Sequence, residues 1–252
     1  MFESFAARSR ALAIALGCAI FGVQRPAQAY RPFDATDASV AERGALELEL
    51  GPGGYLHSGH RSYYAPTEVL NLGIWNRWEL VLQGRELVPG QMAGASSRVS
   101  LVDTGVFVKH VFREGSLQGN SGISIASEFG VLLPTIQDER GVGFSDGLIF
   151  SEQIPALSLH LNVEGGRTPA GNADVFLSLI AEGPKAWPAR PVAEFFFDRE
   201  FDVHTEFSTL VGFIAPLSER VTLDGGSRLA TLDGALVFEG RAGLTWAIPV
   251  WH

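Results

Sequence analysis

The sequence predicts an all-β fold: an antiparallel up-and-down transmembrane β-barrel of about 12 strands, in one domain over residues 30–252. Three observations lead there. Strand-like runs that alternate apolar and polar residues follow one another with almost nothing helical between them, their number is even, and residues 1–29 read as an export signal. The stretch LSLHLNVEGG (157–166) shows the alternation plainly. Leu157, Leu159, Leu161 and Val163 fall on one face and Ser158, His160, Asn162 and Glu164 on the other, which is the period of two of a β-strand. A soluble sandwich would lay the apolar row on a second sheet, whereas a transmembrane barrel would turn it to lipid and the polar row to the lumen.

Within residues 1–29, Arg8 and Arg10 precede an apolar run from Ala11 to Val23, and Ala27-Gln28-Ala29 offers a small-x-small cleavage site. The run is too short to span a bilayer comfortably as a helix. Lipid attachment at Cys18 is a weaker reading, because the residues before it suit that signal poorly. Cleavage after Ala29 removes the sole cysteine, so the mature chain has no disulfide and relies on core burial, lipid or barrel closure. No later segment is long and apolar enough for a transmembrane helix, so any membrane residence must come from strands. A formal charge of -9 argues against nucleic acid as a partner, since phosphate binding needs a basic surface.

Along the chain, residues 30–43 read as a short periplasmic leader. Strand-like runs follow at 44–51, 67–75, 78–88, 98–112, 121–133, 146–154, 156–165, 173–182, 191–198, 203–215, 219–229 and 234–251. An even count suits a bacterial single-chain barrel, whose short periplasmic turns alternate with longer external loops. Links 51–66, 89–98 and 134–146 are long and links 76–77, 113–120 and 154–155 are short; the contrast fades in the second half, where 183–191 is long for a turn and the link near Asp202 is short. Several runs reach about ten residues, enough to cross a bilayer when tilted. Tyr63, Tyr64, Trp75, Trp78, Trp187, Trp246 and Trp251 sit near strand ends, as interfacial aromatic girdles require.

With the apolar faces outward, the lumen inherits Glu47, Glu49, Glu79, Arg85, Asp103, Lys109, Glu128, His160 and Asn162. Further along the chain it takes Glu164, Glu194, His204, Glu206, Asp224, Arg228, Glu239 and Arg241. Enclosed ionisable groups are costly unless paired, so the acids are expected to meet Arg or Lys across strands, and the stripe Ser158, His160, Asn162 and Glu164 to be matched by Arg228, Arg241 or Lys109. Two readings stay open: a salt-bridge network that fills a narrow barrel, or a polar conduit whose acidic excess favours cations or neutral polar solutes.

Other chemistry finds less support. Gly143-Phe144-Ser145-Asp146-Gly147 matches the G-x-S-x-G pattern, but a strand-like run follows where a nucleophile elbow needs a helix, so the segment reads as a flexible loop. His57-Ser58-Gly59-His60 reads as an exposed loop with no third metal ligand nearby. Ser158 and His160 share the lumenal face, away from any lipid substrate. With no phosphate loop, cofactor fingerprint or Cys/His cluster, neither an enzyme nor a cofactor nor a metal is expected.

Several segments together resemble a family. RPFDATDASVAERGALELELG (31–51), VDTGVFVKHVF (102–112), EFGVLLPT (128–135), LSLHLNVEGG, VAEFFFD (192–198) and RVTLDGGSR (220–228) are similar to the outer-membrane proteins grouped as the MetA-pathway of phenol degradation or "transporter" family. The resemblance implies a closed barrel of about a dozen strands in the cell outer membrane, with the barrel assembly machinery and outer-membrane lipid as partners, and little chemistry. One departure is the C-terminus: the aromatic Trp251 is penultimate, and Pro249 removes a ladder donor near the closing seam. The expected function is a transporter or narrow channel for small or hydrophobic solutes with an acidic polar lumen. The alternatives are a soluble periplasmic β-sandwich or barrel that binds a ligand or partner, and a structural barrel with a plugged lumen.

Overall fold

A computed structural model describes residues 30–59, 61–90, 99–136 and 141–251; the export signal read at 1–29, Cys18 and His60 lie outside the described residues. The strands are β1 (Ala45–Gly51), β2 (Tyr55–Ser58), β3 (Arg61–Tyr64), β4 (Thr67–Trp75), β5 (Trp78–Pro89), β6 (Ser100–Arg113) and β7 (Ser124–Leu132). They continue with β8 (Gly143–Ile154), β9 (Leu157–Arg167), β10 (Ala173–Glu182), β11 (Arg190–Glu200), β12 (His204–Pro216), β13 (Val221–Leu232) and β14 (Ala235–Pro249). Twelve of them, β1 and β4 to β14, form a closed antiparallel wall in which each pairs with its neighbours and β1 pairs with β14. The seam runs from Ala45↔Pro249 to Leu50↔Leu244, and past it Val250 and Trp251 donate their N–H groups to the Gly44 carbonyl at 2.7 and 3.2 Å. Pro249 therefore leaves the closure intact.

The long first loop expected at 51–66 is instead a hairpin of β2 and β3 that continues the wall beyond β1 and β4. Its register, Tyr55↔Gly240 on one side and Tyr64↔Val88 on the other, fills the space between β14 and β5. The break between β1 and β2 falls at Pro52-Gly53-Gly54, and a side chain at Gly54 would place its first carbon 1.8 Å from the Ala65 carbonyl oxygen. Pro52 and Pro66 have no ladder donor to give there. His57 accordingly lies in a strand, paired with Ser62, rather than in a loop.

The segment Gly143–Gly147 is another correction: it opens β8 and pairs with both β7 and β9, so it is neither a loop nor a strand-to-helix elbow. Alternation explains it, with Phe144 and Leu148 exposed on the outside at 56% and 47%.

In β9, Leu159, Leu161 and Val163 are exposed, whereas Ser158, His160 and Asn162 are buried to 2% or less. The wall is thus inverted relative to a soluble protein, and among the described residues no second sheet covers the apolar face, which removes the basis for a sandwich. Exposed aromatics mark both rims. Trp75, Trp187, Trp246 and Trp251 lie at the end that holds both termini of the wall, and Tyr55 and Tyr64 at the opposite, loop end. Among the described residues the interior holds small apolar clusters, Ala38, Val111, Leu117, Ala126 and Ile149 in one, Val192 and Ile214 packed with Phe33 in another.

The inverted wall makes a direct prediction. Leu161→Arg places a charge on the lipid face and should destabilise folding into vesicles by about 2–4 kcal/mol if the site is near the bilayer midplane. The measurement is a urea titration of the vesicle-folded barrel. A loss within the range of ordinary surface substitutions, about 0.5 kcal/mol, would contradict a lipid-facing wall.

Candidate functional site

The site is the lumen, and its main occupant is the segment 30–43. Expected as a periplasmic leader, this segment instead lies inside the wall: Ala38 is fully buried, and Arg31, Ala35, Ser39 and Ala41 are below a tenth exposed. Inward-facing side chains supply its backbone bonds. Glu194 on β11 accepts the N–H groups of Asp34 and Ala35 at 2.8 and 3.0 Å. Asn162 on β9 brackets Thr36, donating to its carbonyl at 2.8 Å and accepting its N–H at 3.4 Å. Ser151 on β8 accepts from Ala38 at 2.9 Å, Glu79 on β5 from Ala41, and Glu49 on β1 from Arg31 at 3.2 Å. Lys109 on β6, completely buried, donates to the Thr36 hydroxyl at 2.8 Å and lies 4.2 Å from the Tyr30 ring centre.

The second feature is a charge cluster around Glu239 on β14. Its carboxylate accepts from Arg85, from Arg228 Nε at 2.8 Å and from Arg241 at 3.0 Å. Arg228 also reaches Glu206, and Arg241 reaches Asp34 at 2.8 Å and the Pro32 carbonyl at 2.6 Å. Nearby, Arg31 Nε stands 3.5 Å from Asp224, and Asn71 donates to Glu49 at 2.7 Å. Three guanidiniums on one carboxylate satisfy the pairing that burial demands, and the segment shares in it through Asp34.

The stripe on β9 is not matched by Arg228, Arg241 or Lys109 as expected. His160 bonds Ser151 through Nδ1 at 2.8 Å and stands 3.3 Å from Glu182 through Nε2; Glu182 is held in turn by Arg190 at 2.7 Å. Asn162 is taken by Thr36. The cause is the segment itself, which lies where the opposite wall would otherwise reach. His204 stands between Asp198 and Glu200, 3.6 Å from each. Asp103 enters from a bulge in the β5–β6 pairing at φ +53°.

Among the described residues, cavities lie on both sides of residues 30–43. One, of about 400 Å³, is lined by Tyr30 to Thr36 and by the upper wall, where Asp103, Glu128, Glu164, Asp174 and Asp198 face it beside Phe107 and Phe176. The other, of about 480 Å³, is lined by Ser39 to Ala45 with Glu47, Val111, Leu117 and Trp251 at the opposite end. Asp174, Glu182 and Asp198 escaped the sequence reading although their strand parity carries the signal: Asp198 is four residues from Glu194, and Asp174 four from the buried Ser178. Arg31, Asp34 and Thr36 gave no such signal, because an irregular segment has no period.

Burial alone would raise the pKa of Asp37, but Lys109, His160 and the Ser39 hydroxyl outweigh it and hold the carboxyl below the ordinary aspartate range. The stabilisation that Asp37 contributes is therefore complete above the ordinary range and is lost as pH falls through the lowered value.

No family model matches this sequence, and no curated protein does either. Among solved structures, the chain is similar to the COG4313 outer membrane channel from Pseudomonas putida F1, with a TM-score of 0.62 at 8% identity over 86% of this chain and 100% of that one. It is also similar to the KdgM porin, with a TM-score of 0.55 at 10% identity over 80% of this chain and 98% of that one. The fold is a closed antiparallel barrel, shared with these outer-membrane proteins. At such identities the likeness concerns architecture, and the MetA-pathway resemblance rests on its motifs alone.

The charge cluster can be tested by stability. Glu239→Ala leaves three enclosed guanidiniums with one carboxylate fewer and should cost about 3–5 kcal/mol. Urea unfolding in detergent micelles reads this, and a cost below about 1 kcal/mol would place the cluster among ordinary surface pairs.

Proposed function

We propose that the chain is an outer-membrane transporter or narrow channel for small or hydrophobic solutes, whose lumen is closed at rest by its own residues 30–43. The observation that carries this reading is how the segment is held. Its backbone bonds to side chains of the wall rather than to a strand, with cavities open on both sides of it. A segment held in this way can exchange its bonds with water one at a time, so its displacement joins the two cavities.

The solute preference follows from the cavity at the loop end. Its lining includes Asp103, Glu128, Glu164, Asp174 and Asp198, whereas of its cations Arg85 and Arg241 are engaged by Glu239, Arg31 stands by Asp224 and Lys109 donates to Thr36. An unbalanced ring of acids favours cations over anions. In this reading Glu79, Arg85, Asp103, Lys109, Glu128, His160, Asn162, Glu164, Glu194, His204, Glu206, Asp224, Arg228, Glu239 and Arg241 form the lumenal polar network. The export signal is removed after Ala29, leaving Tyr30 at the head of the segment, and the barrel assembly machinery inserts the chain.

The plugged structural barrel is the competing reading, since the same segment fills the lumen. Single-channel recording in planar bilayers separates the two. The full mature chain is expected to show small, cation-leaning conductance, and deletion of residues 30–43 to raise it severalfold. Anion selectivity would contradict the acidic cavity. A deletion variant that folds, as shown by heat-modifiable gel mobility, yet conducts no better would favour the structural barrel.

A further inference from the structure

Outside the barrel, at the loop end, Arg167 on β9 and Arg199 on β11 flank β10. Arg167 shares its face with the exposed Leu161 and Val163, and Arg199 shares its face with the exposed Phe195, so both point away from the lumen. The register sets Arg167 opposite Ala173 and Arg199 opposite Val175 on the strand between them. Two strand spacings separate them laterally by about 10 Å, a gap that two long side chains can close around one group. Both are positioned: Arg167 Nε donates to the Gly171 carbonyl at 2.7 Å, and the Arg199 guanidinium lies 4.9 Å from the Phe201 ring centre.

Neither has a carboxylate partner among the described residues. The lumenal Arg31, Arg85, Arg228 and Arg241 are all in ion pairs. The outward carboxylate nearest in register, Asp146 on β8, accepts instead from Ser127 on β7 at 3.5 Å, on the side away from Arg167. Below the two arginines the wall is apolar and exposed, with Leu177 at 40%, Leu179 at 50%, Phe195 at 52% and Phe207 at 49%. A pair of uncompensated guanidiniums above an apolar wall is complementary to one kind of molecule, an anionic headgroup carried on acyl chains.

We infer that Arg167 and Arg199 form a seat for a phosphate-bearing lipid headgroup of the outer leaflet, with its acyl chains laid along Leu177, Leu179, Phe195 and Phe207. The β2–β3 hairpin and the ten-residue links after β5 and after β7 lie at this end of the barrel, against one link of that length, after β6, at the end that holds both termini of the wall; this marks the hairpin end as the external one and puts the seat at headgroup level in that leaflet. A bidentate guanidinium–phosphate contact is among the stronger polar contacts available there, and planar guanidinium suits it better than ammonium.

The test uses the mature chain folded into phosphatidylcholine vesicles that contain a minor fraction of diphosphoryl lipid A. The protein is re-extracted in mild detergent, and the bound lipid is counted by native mass spectrometry. Heat-modifiable mobility confirms that each variant is a folded barrel, so failure of the membrane reading is seen separately from failure of the seat. The Arg167→Gln/Arg199→Gln variant is expected to retain about tenfold less lipid A, as loss of about 1.4 kcal/mol implies. Lys185→Gln, at the opposite end, should retain as much as the wild type. Equal retention by the double variant would overturn the proposal, as would full displacement of lipid by inorganic phosphate, which would mean an anion site without a lipid component. A dimer of the wild type that the double variant abolishes would also overturn it, assigning the arginines to a second copy of the chain.

Discussion

In hydrocarbon an unpaired backbone group has no water to turn to, so a sheet can live there only if its first strand finds its last. In this chain the requirement is met by the six residue pairs of β1 with β14 and extended by the two bonds to the Gly44 carbonyl. Closure then dictates the rest. It fixes the alternation of every strand into a lipid-facing and an enclosed row, and with twelve strands it creates an interior wider than wall side chains alone can fill. The hairpin of β2 and β3 answers the same requirement at the loop end, where β1 and β4 stop short and would otherwise leave β14 and β5 with open edges.

An interior lined by carboxylates and guanidiniums cannot be left dry and unpaired. Two devices share the task. Around Glu239 the solution is ionic, with Arg85, Arg228 and Arg241 converging on one carboxylate and Glu206 and Asp34 completing the set. Around Glu194, Asn162 and Ser151 it is peptidic: the side chains meet backbone N–H groups of residues 34–38. The segment is thereby both filler and counter-group, and Asp34 and Lys109 tie the two devices together through Arg241 and Thr36.

The sequence displayed whatever has a period. The alternation in β9, β12 and β14 located strands and separated inward from outward residues, because side-chain direction in a strand is a local property. What it hid depends on tertiary company. The glycines and prolines at 51–54 and 65–66 read as a loop since no local rule says that two broken strands can resume beside β14 and β5. DATDAS (34–39) has no alternation at all, and its burial follows from the shape of a lumen that exists only after closure. The partners of His160 and Asn162 were misassigned for the same reason: with the segment absent, the opposite wall is the only place to look.

The way in which the segment is held bears on whether filling the lumen and transporting a solute are opposed. Burial of apolar side chains is a large term, about 25 cal/mol for each Å² withdrawn from water, and an apolar plug of this length would be bound as firmly as a core. A hydrogen bond exchanged for one to water contributes a net of only about 0.5–1.5 kcal/mol. Most contacts of residues 31–41 are of the second kind; the apolar exceptions include Ala38, a member of one small cluster, Val40 packed against it and Phe33 packed on the other. In the proposed channel a polar closure would satisfy the lumen at rest and yield stepwise to water or solute, whereas removal of the wall carboxylates that hold it would leave the segment without cause to enter. The same rule read on the outer surface points the other way: where Arg167 and Arg199 have no carboxylate partner among the described residues, the proposed seat takes its completing charge from the membrane.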